Sequence, residues 1–490
     1  MKNHQQSRIP RCMSTQHPDN VNLPFFAENS RLSGEDEIQE AYYAFSYLGC
    51  DEQLWDCEGK EIDNFVIKKL LLKYPQFFKT RRLGRDVFIT LRVPNPAIEK
   101  TEAKILLETL ESIPRSFDAA KLFYGRNISP IFEVILPMTS SARQIDRVYK
   151  YYRDFVAGKQ NKQLYPGDIK IGQWIGKFQP EQIKVIPLFE DLNHLLNSAN
   201  IVKQYLSDKL IDYQRVFLAR SDPAMNYGLI SSVILNKIAL QRLQKLSENT
   251  GIKIYPIIGL GPSPFRGNLK PETVERIIAE YPSVWTFTIQ SAFKYDYPAE
   301  QVKLAIQKLK QKPVNPVHKV EEKKTLPILK KYSAEYQRQI KKLAKLINKI
   351  ARYIPERRKR KLHVGLFGYS RNIQGIQLPR AISFTASLYS IGLPPEILGL
   401  NALTKSEIEF VSQIYLNLKS DLTDALTYFN PNCKFLPRNL SQKIRKLFNF
   451  QLNKQHRQIT NRIQDLLIKG KTENLKHYIL AAANLRKFLG

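Results

Sequence analysis

Four segments in the middle of the chain each run from an apolar, strand-like stretch directly into polar or charged residues. They are KVIPLFE ending at Glu190, RVFLARSD ending at Asp222, KIYPIIGLGPSPFRG containing Arg266, and VWTFTIQSAFKYD containing Gln290. In a barrel of parallel strands, side chains just past the carboxyl ends of the strands converge on one mouth. The four segments therefore predict a shared site in which carboxylates hold a divalent metal ion and an arginine binds an anionic substrate.

Predicted strands and helices alternate along most of the chain. Strand-like segments, separated by helical ones, cover 86–92, 129–139, 183–189, 215–220, 252–258, 284–289 and 362–371. This alternation is typical of βα units around a parallel sheet. The sequence therefore predicts an α/β fold, a TIM-type (β/α)8 barrel with extensive additional α-helices and a helical C-terminal region.

The predicted barrel belongs to a single domain that spans residues 1–490. We expect its strands at about 86–400, a helical insertion at about 299–356, and the helical C-terminal region at about 403–490. Residues 8–34, rich in proline, asparagine and serine, are predicted to form an N-terminal active-site loop. The stretch CDEQLWDCEGKEID, which follows the first predicted helix, is predicted to be an acidic loop.

The composition excludes several other classes of protein. With 490 residues, of which 43% are hydrophobic and 25% charged, the chain has the balance of a large globular protein. Its four cysteines show neither CxxC spacing nor the density of a secreted scaffold, which predicts reduced thiols. The first residues lack the apolar stretch of a signal peptide, and no segment offers about 18 uninterrupted apolar residues for a membrane span. We therefore expect a cytoplasmic protein without a membrane partner.

The net charge of +31 is unusually high for a protein of this length. Many of the basic residues lie between 300 and 361, including the clusters Lys308–Lys312 and Arg357–Lys361. In segment 328–354, apolar residues recur at three- and four-residue spacing, which places the lysines on the opposite, solvated face of a helix. We favour this interpretation over a nucleic-acid partner, because the basic residues are not interleaved with aromatic ones. A basic nucleic-acid-binding protein is the alternative function of a different class.

Glu190 and Asp222 end consecutive predicted strands. Two carboxylates with open positions beside them suit Mg²⁺ or Mn²⁺, which keep several coordination positions for waters and substrate oxygens. Acidic residues after strands also serve as helix N-caps, and Asp222 followed by Pro223 fits that pattern. The basic residues in the neighbouring segments favour the metal site.

Two further segments could complete such a site. The loop Gly259–Gly267 follows an apolar strand, and its glycines allow backbone amides to approach a phosphate, although an ordinary βα turn would have the same composition. Arg266 in this loop supplies a permanently charged donor fork for a carboxylate or phosphate. His17 lies in the loop sequence TQHPDN. It is either a solvent-exposed histidine or, if the loop folds over the barrel mouth, a general base.

Seven motifs occur in order along nearly the whole chain: STQHPDN, FITLRVPNP, VIPLFEDL, LARSDPAMNYG, GPSPFRGNLKPE, QSAFKYD, and HVGLFGYSR with LPRAISFTASLYSIGLPPE. Together they resemble the archaeal-type phosphoenolpyruvate carboxylase family. The resemblance implies carboxylation of phosphoenolpyruvate with bicarbonate to oxaloacetate and phosphate, through carboxyphosphate and a metal-stabilised pyruvate enolate. It also implies a homotetramer. The alternative among enzymes is another metal-dependent barrel lyase that acts on phosphoenolpyruvate or pyruvate.

The resemblance also implies roles for individual residues. His17 and Arg266 are expected to be catalytic, and Glu190 and Asp222 are expected to hold Mg²⁺ or Mn²⁺. The residues expected to bind substrate are Arg92, Arg220, Gln290, Arg371 and Arg380. Two positions depart from the larger bacterial and plant-type carboxylases, which have an arginine where this chain has Leu260 and a lysine where it has Met225.

Overall fold

A computed structural model describes residues 8–57, 63–100, 103–359, 372–373, 375–436 and 438–490. Within these residues, eight parallel strands form a closed barrel in chain order. They are β1 (Cys12–Ser14), β2 (Glu52–Asp56), β3 (Phe88–Arg92), β4 (Glu133–Leu136), β5 (Lys184–Phe189), β6 (Tyr213–Ala219), β7 (Lys253–Gly259) and β8 (Thr286–Ile289). β1 closes the barrel, because Met13 lies opposite Glu52 of β2 on one side and opposite Thr288 of β8 on the other. The predicted TIM-type barrel is confirmed.

The predicted range of the barrel strands, about 86–400, is wrong at both ends. β1 lies inside the predicted loop 8–34, and β2 lies inside the predicted acidic loop. β1 has only three residues, which are too few to show an alternating pattern, and β2 has charged or polar residues at buried positions. The barrel also closes with β8, which ends at Ile289. The strand predicted over 362–371 lies outside the described residues.

A buried ion network inside the barrel explains the charged residue in β2. Arg215 of β6 donates two hydrogen bonds to the carboxylate of Glu52, at 2.8 and 2.7 Å, and a third to Glu133 of β4 at 2.9 Å. All three side chains are buried. Burial lowers the pKa of Arg215, but the two glutamates outweigh that effect and raise it above its ordinary value. The arginine therefore stays charged and joins three strands of the barrel.

Replacing Arg215 by leucine is expected to destabilise the protein by about 3–5 kcal/mol, because Glu52 and Glu133 would become uncompensated buried charges. Urea-induced unfolding followed by circular dichroism measures this loss. Arg153→Leu is the control, since Arg153 pairs with Asp154 at the surface, where an ion pair contributes about 0–1 kcal/mol. An equal shift of the two unfolding midpoints would contradict a stabilising role for the buried network.

Helices surround the barrel and extend beyond it. They are α1 (Glu35–Ser46), α2 (Val66–Lys73), α3 (Pro75–Thr80), α4 (Ile105–Tyr124), α5 (Ala142–Lys150), α6 (Ile171–Trp174), α7 (Leu192–Leu206), α8 (Ser221–Tyr227), α9 (Leu229–Thr250), α10 (Val274–Glu280), α11 (Ser291–Tyr295), α12 (Ala299–Gln311), α13 (Glu322–Ala351), α14 (Ala381–Ser390), α15 (Lys405–Ile414), α16 (Leu418–Leu426), α17 (Arg438–Leu447), α18 (Lys454–Ile468) and α19 (Leu475–Arg486). Helices α12 and α13 occupy the predicted insertion, and α15 to α19 confirm the helical C-terminal region. In the described part of the chain, no helix combines the length and apolar character that crossing a membrane requires.

Helix α13 confirms the amphipathic pattern predicted for segment 328–354. The residues of the predicted apolar stripe are buried: Leu329, Tyr332, Tyr336, Ile340, Leu343, Ile347, Ile350 and Ile354. On the opposite face, Lys323, Lys330, Lys341 and Lys345 are exposed to solvent. The buried face packs against α8 and α9, the helices that follow β6. Helix α13 therefore supports the barrel from outside with its lysines in water.

Candidate active site

A cavity of about 330 Å³ opens at the carboxyl ends of the barrel strands. Its walls include eight of the nine site residues predicted from the sequence: His17, Arg92, Glu190, Arg220, Asp222, Arg266, Gln290 and Arg380. Most of them end a strand or follow one closely, whereas Arg380 directly precedes helix α14. The ninth residue, Arg371, lies outside the described residues. The cavity thus brings together two carboxylates, several arginines and an imidazole from separate parts of the chain.

Glu190 and Asp222 come from the ends of the neighbouring strands β5 and β6. One carboxylate oxygen of Glu190 accepts a hydrogen bond at 2.6 Å from the backbone N–H of Met138. Met138 has a φ of 49°, a left-handed conformation that non-glycine residues seldom adopt and that is often retained at functional sites. Asp222 lies in the first turn of α8, whose N-cap is Arg220. The alternative interpretation of Asp222 as a helix N-cap is therefore wrong.

The donor chemistry of this pair fits a hard divalent cation. Among the residues that the structure describes, no group of three or more histidine, cysteine, aspartate or glutamate side chains could hold a metal ion. Mg²⁺ binds through one or two carboxylates and keeps its other positions for waters and substrate oxygens. The carboxylate oxygens of Glu190 and Asp222 are donors of the kind that Mg²⁺ and Mn²⁺ prefer.

Arg266 is held in one orientation by four hydrogen bonds. Its Nε donates to Ser221 Oγ at 3.1 Å, and its Nη2 donates to Gln290 Oε1. Its Nη1 donates to Asp19 Oδ2 at 3.1 Å and to the Gly490 carbonyl oxygen at 2.5 Å. Burial lowers the pKa of Arg266, and the carboxylate of Asp19 opposes this shift. Since a guanidinium has five N–H donors, these bonds leave one N–H of Nη2 for a ligand in the cavity.

Arg92 and Arg220 are anchored to the protein as well. Arg92, at the end of β3, donates two parallel hydrogen bonds to Asp56, at the end of β2, with distances of 3.0 and 2.7 Å. Arg220 Nη1 donates to Ser232 Oγ at 2.8 Å and to the carbonyl oxygen of Phe265 at 3.1 Å. Arg220 therefore supports the glycine-rich loop after β7. Asp56 was not predicted as a site residue, because it lies in the strand that the sequence pattern missed.

Leu260 and Met225, the two departures from the larger carboxylases, lie in the core. Leu260 is fully buried and packs closely against Gly267. A Cβ atom placed on Gly267 would lie only 2.5 Å from the Cδ2 atom of Leu260. Met225 is also fully buried, and its carbonyl oxygen accepts a hydrogen bond from the Tyr336 hydroxyl at 2.9 Å. Neither side chain is part of the described cavity wall. The cavity has other cations that were not predicted from the sequence, namely Arg352, Arg357 and Arg358.

Asp296 and Arg357 clamp the loop that carries His17 from two sides. The two carboxylate oxygens of Asp296 accept hydrogen bonds at 2.7 Å from the backbone N–H groups of Val21 and Asn22. The guanidinium of Arg357 donates to the carbonyl oxygen of Val21 at 2.6 Å. Burial raises the pKa of Asp296 to about 7. The clamp fixes the backbone of a loop that, in the sequence, shows no regular pattern.

Asp19 ties the same loop to the barrel. Its Oδ1 accepts a hydrogen bond from the backbone N–H of Ala292 at 2.8 Å, and its Oδ2 accepts one from Arg266. Its carbonyl oxygen accepts another from the N–H of Leu489 at 2.8 Å. Burial raises the pKa of the Asp19 carboxyl, and the charge of Arg266 opposes that shift. The loop 17–22 therefore folds over the barrel mouth, which was the condition for His17 to act in the site.

The basic cluster Arg357–Lys361, expected on a solvated surface, begins with two buried arginines. The second of them, Arg358, donates to Glu37 at 2.6 Å and to Glu40 at 2.8 Å. Lys294 donates to Glu40 as well, at 2.9 Å. Burial raises the pKa of Glu40, but Arg358 and Lys294 outweigh this effect and lower it to about 2. For these two arginines the solvated-surface interpretation is wrong: acidic partners in α1 neutralise Arg358, and Arg357 donates to backbone carbonyl oxygens of the loop that carries His17.

Comparison with known proteins gives the family of this chain. A family model described as phosphoenolpyruvate carboxylase matches residues 9–490. The chain belongs to the phosphoenolpyruvate carboxylase family. It is 55% identical over 483 residues to a phosphoenolpyruvate carboxylase of Methanospirillum hungatei, covering 99% of this chain and 100% of that protein. The family resemblance inferred from the seven motifs is confirmed.

Two other archaeal phosphoenolpyruvate carboxylases match over the same extent. The protein of Methanothermobacter thermautotrophicus is 54% identical over 483 residues, covering 99% of this chain and 100% of that protein. The protein of Pyrococcus furiosus is 52% identical over 488 residues, covering 98% of this chain and 100% of that protein. The carboxylase family match therefore includes β1, the loop with His17 and the C-terminal helices.

Proposed function

We propose that this protein carboxylates phosphoenolpyruvate with bicarbonate, giving oxaloacetate and phosphate. The observation that carries this proposal is the composition of the cavity in a member of the phosphoenolpyruvate carboxylase family. Arginines from several segments surround two carboxylates and a histidine at the mouth of the barrel. Every reactant is an anion, so the cavity must neutralise charge before the reactants can approach each other. The arginines supply that charge.

The anchored arginines would bind and orient the substrates. Arg266 presents a guanidinium of fixed geometry, with one N–H available to a phosphate or carboxylate oxygen. Arg92 and Arg380, on other walls of the cavity, would hold the remaining charged groups of phosphoenolpyruvate and bicarbonate. Because Arg266 and Arg92 are already held by the protein, they need little reorganisation when the substrates bind. Glu190 and Asp222 would hold a divalent ion, Mg²⁺ or Mn²⁺, which supplies positive charge for substrate oxygens.

His17 would act as the base in the second half of the reaction. An oxygen of bicarbonate attacks the phosphorus of phosphoenolpyruvate, and the bond from phosphorus to the enol oxygen breaks, which gives carboxyphosphate and the enolate of pyruvate. His17 then takes the proton of the carboxyl group, and the carbon–oxygen bond of carboxyphosphate breaks to give carbon dioxide and phosphate. The enolate carbon attacks carbon dioxide to form oxaloacetate. The loop 17–22 covers the barrel mouth and would keep water from the enolate.

A coupled assay tests the proposed function. Oxaloacetate formed from phosphoenolpyruvate, bicarbonate and Mg²⁺ is reduced by malate dehydrogenase, and the oxidation of NADH is recorded. We expect turnover that requires bicarbonate and no nucleotide. Folded protein that forms no oxaloacetate would contradict the proposal, and release of pyruvate without bicarbonate would favour a different barrel lyase.

Asp296→Asn is expected to lower kcat by about 10–100-fold. The substitution weakens the clamp on the loop that carries His17, and a small displacement of a catalytic group such as His17 has effects of that order. The two carboxylate oxygens of Asp296 accept hydrogen bonds from the backbone N–H groups of Val21 and Asn22. The side-chain amide of asparagine has only one oxygen, so its NH₂ group would face one of these two N–H donors. Steady-state kinetics in the coupled assay measure the change. Asp86→Asn is the control, since Asp86 accepts one backbone N–H, that of Arg82, at 2.9 Å outside the cavity. A wild-type kcat in Asp296→Asn would contradict the clamp.

We also propose that the protein works as a homotetramer in the cytoplasm. The segment between α5 and β5 exposes large apolar side chains that a partner subunit could cover: Phe155, Leu164, Tyr165, Ile169, Trp174 and Ile175. Light scattering coupled to size-exclusion chromatography measures the mass in solution. A mass of one chain, 56.9 kDa, would contradict the tetramer.

A further inference from the structure

Thr15 lies between β1 and His17, and its polar atoms all have partners. Its backbone N–H donates to the carbonyl oxygen of Ile289 at 2.9 Å, and its own carbonyl oxygen accepts from Lys294 Nζ at 3.0 Å. Its hydroxyl lies 3.2 Å from the same Ile289 oxygen and 2.9 Å from His17 Nδ1. The side chain is fully buried. The hydroxyl is therefore held at one place between a carbonyl oxygen and the imidazole ring.

The hydroxyl of Thr15 has one proton for these two contacts. The oxygen of Ile289 can only accept, so the contact at 3.2 Å is favourable only if Thr15 donates its proton there. If the proton pointed at His17 instead, two oxygen atoms would face each other with their lone pairs and no proton between them. Once Thr15 donates to Ile289, its oxygen can only accept from His17, and Nδ1 must then carry a hydrogen.

We propose that Thr15 is a positioning residue that holds neutral His17 in the tautomer with the hydrogen on Nδ1. The lone pair is then on Nε2, which becomes the nitrogen that takes the proton of carboxyphosphate. The role of Nε2 as the proton acceptor rests on the proposed function, whereas the assignment of the tautomer does not. In many hydrolases a carboxylate orients the histidine in this way. A neutral hydroxyl orients the ring without adding negative charge to a cavity that binds anions.

The surroundings of Thr15 keep this orientation rigid. Lys294 bridges the Thr15 carbonyl oxygen and the buried carboxylate of Glu40. The carbonyl oxygen of His17 accepts the N–H of Ser291 at 3.2 Å, so the backbone is held on both sides of the pair. Rotation of the Thr15 hydroxyl toward His17 would leave the Thr15 and Ile289 oxygens 3.2 Å apart with no proton between them, which is unfavourable.

Nitrogen NMR of the ring measures the tautomer directly. Protein labelled with ¹⁵N in its histidines is compared with labelled His17→Asn, and the signals that disappear belong to His17. In a pH range where the ring is neutral, we expect a protonated Nδ1 and an unprotonated Nε2. The opposite pattern would overturn the proposal. This measurement does not depend on substrates, so it decides the tautomer even if the protein catalyses another reaction.

Thr15→Val and Thr15→Ser separate the hydroxyl from the shape of the side chain. Valine keeps the volume and loses the hydroxyl, which removes the acceptor for the hydrogen on His17 Nδ1. We expect the ratio of oxaloacetate formed to phosphate released to fall by at least about tenfold, since loss of tautomer control costs up to about 10⁴-fold in a hydrolase. Serine keeps the hydroxyl and should retain a ratio within about twofold of the wild type.

Thr325→Val is the matched control. Thr325 is a buried residue of α13 whose hydroxyl donates to the carbonyl oxygen of Glu321 at 2.7 Å, and it does not line the cavity. A wild-type product ratio in Thr15→Val, or a reduced ratio in Thr15→Ser, would overturn the positioning role. If wild-type protein releases no phosphate in the presence of bicarbonate, the proposed function fails, and the NMR result still decides the tautomer.

Discussion

The His17→Asn variant is expected to lose oxaloacetate formation while it still releases phosphate from phosphoenolpyruvate in the presence of bicarbonate. In the proposed mechanism, attack of bicarbonate on phosphorus uses the arginines and the carboxylates, all of which remain in this variant. Removal of the carboxyl proton needs a base, and asparagine cannot take that proton. A positioned base contributes about 10²–10⁴-fold, so the rate of oxaloacetate formation should fall by that factor.

Oxaloacetate, pyruvate and phosphate are measured together to test this expectation. Without the base, carboxyphosphate would be hydrolysed and the enolate would be protonated, so phosphate and pyruvate should appear in equal amounts. Malate dehydrogenase detects oxaloacetate and lactate dehydrogenase detects pyruvate, while phosphate is determined separately. His318→Asn is the control, because His318 bonds to the carbonyl oxygen of Ala279 at 2.9 Å and does not line the cavity. Oxaloacetate formation at the wild-type rate in His17→Asn would exclude His17 as the base.

The barrel could be predicted from the sequence wherever its strands have a buried, apolar pattern. Strands β3 to β8 have such a pattern and were found, although their ends differ by a few residues from the prediction. β2 was missed because its polar residues face the barrel interior, where Glu52 meets Arg215 of β6. Three of the five residues of β2, Glu52, Gln53 and Asp56, are polar or charged, which leaves no apolar run to recognise. In β4 and β6 the charged residues Glu133 and Arg215 are each followed by apolar residues, and that run revealed those strands.

The site could be predicted where its residues directly follow strands, because parallel strands end at the same side of a barrel. Glu190 and Asp222 were identified on that basis and line one cavity. Asp296 and Arg357, which clamp the His17 loop, were not identified as site residues, because they act across long sequence separations. Asp296 contacts Val21 across 275 residues, and Arg357 contacts it across 336. Such partners follow from the closed tertiary structure and leave no local pattern in the chain.

Glu190→Gln and Asp222→Asn are each expected to raise the concentration of Mn²⁺ or Mg²⁺ that gives half-maximal activity. The amides keep the size of the side chain and remove the negative charge that a hard cation prefers. Loss of a residue that only orients a metal ligand typically costs about 10–100-fold in metal affinity. Loss of a ligand itself should therefore raise the half-maximal concentration by at least about tenfold. Titration of each metal in the coupled assay measures this shift.

Glu356→Gln is the matched control for these two variants. Glu356 also lines the cavity, but its carboxylate pairs with Arg31 at 3.0 Å and is well exposed. A general loss of negative charge from the cavity would shift the metal titration in all three variants, whereas loss of a ligand would shift it only in Glu190→Gln and Asp222→Asn. Unchanged titration curves in those two variants would exclude the pair as the metal site. Manganese paramagnetic resonance separates binding from turnover, since weaker binding leaves more free Mn²⁺ at the same total concentration even when no substrate is present.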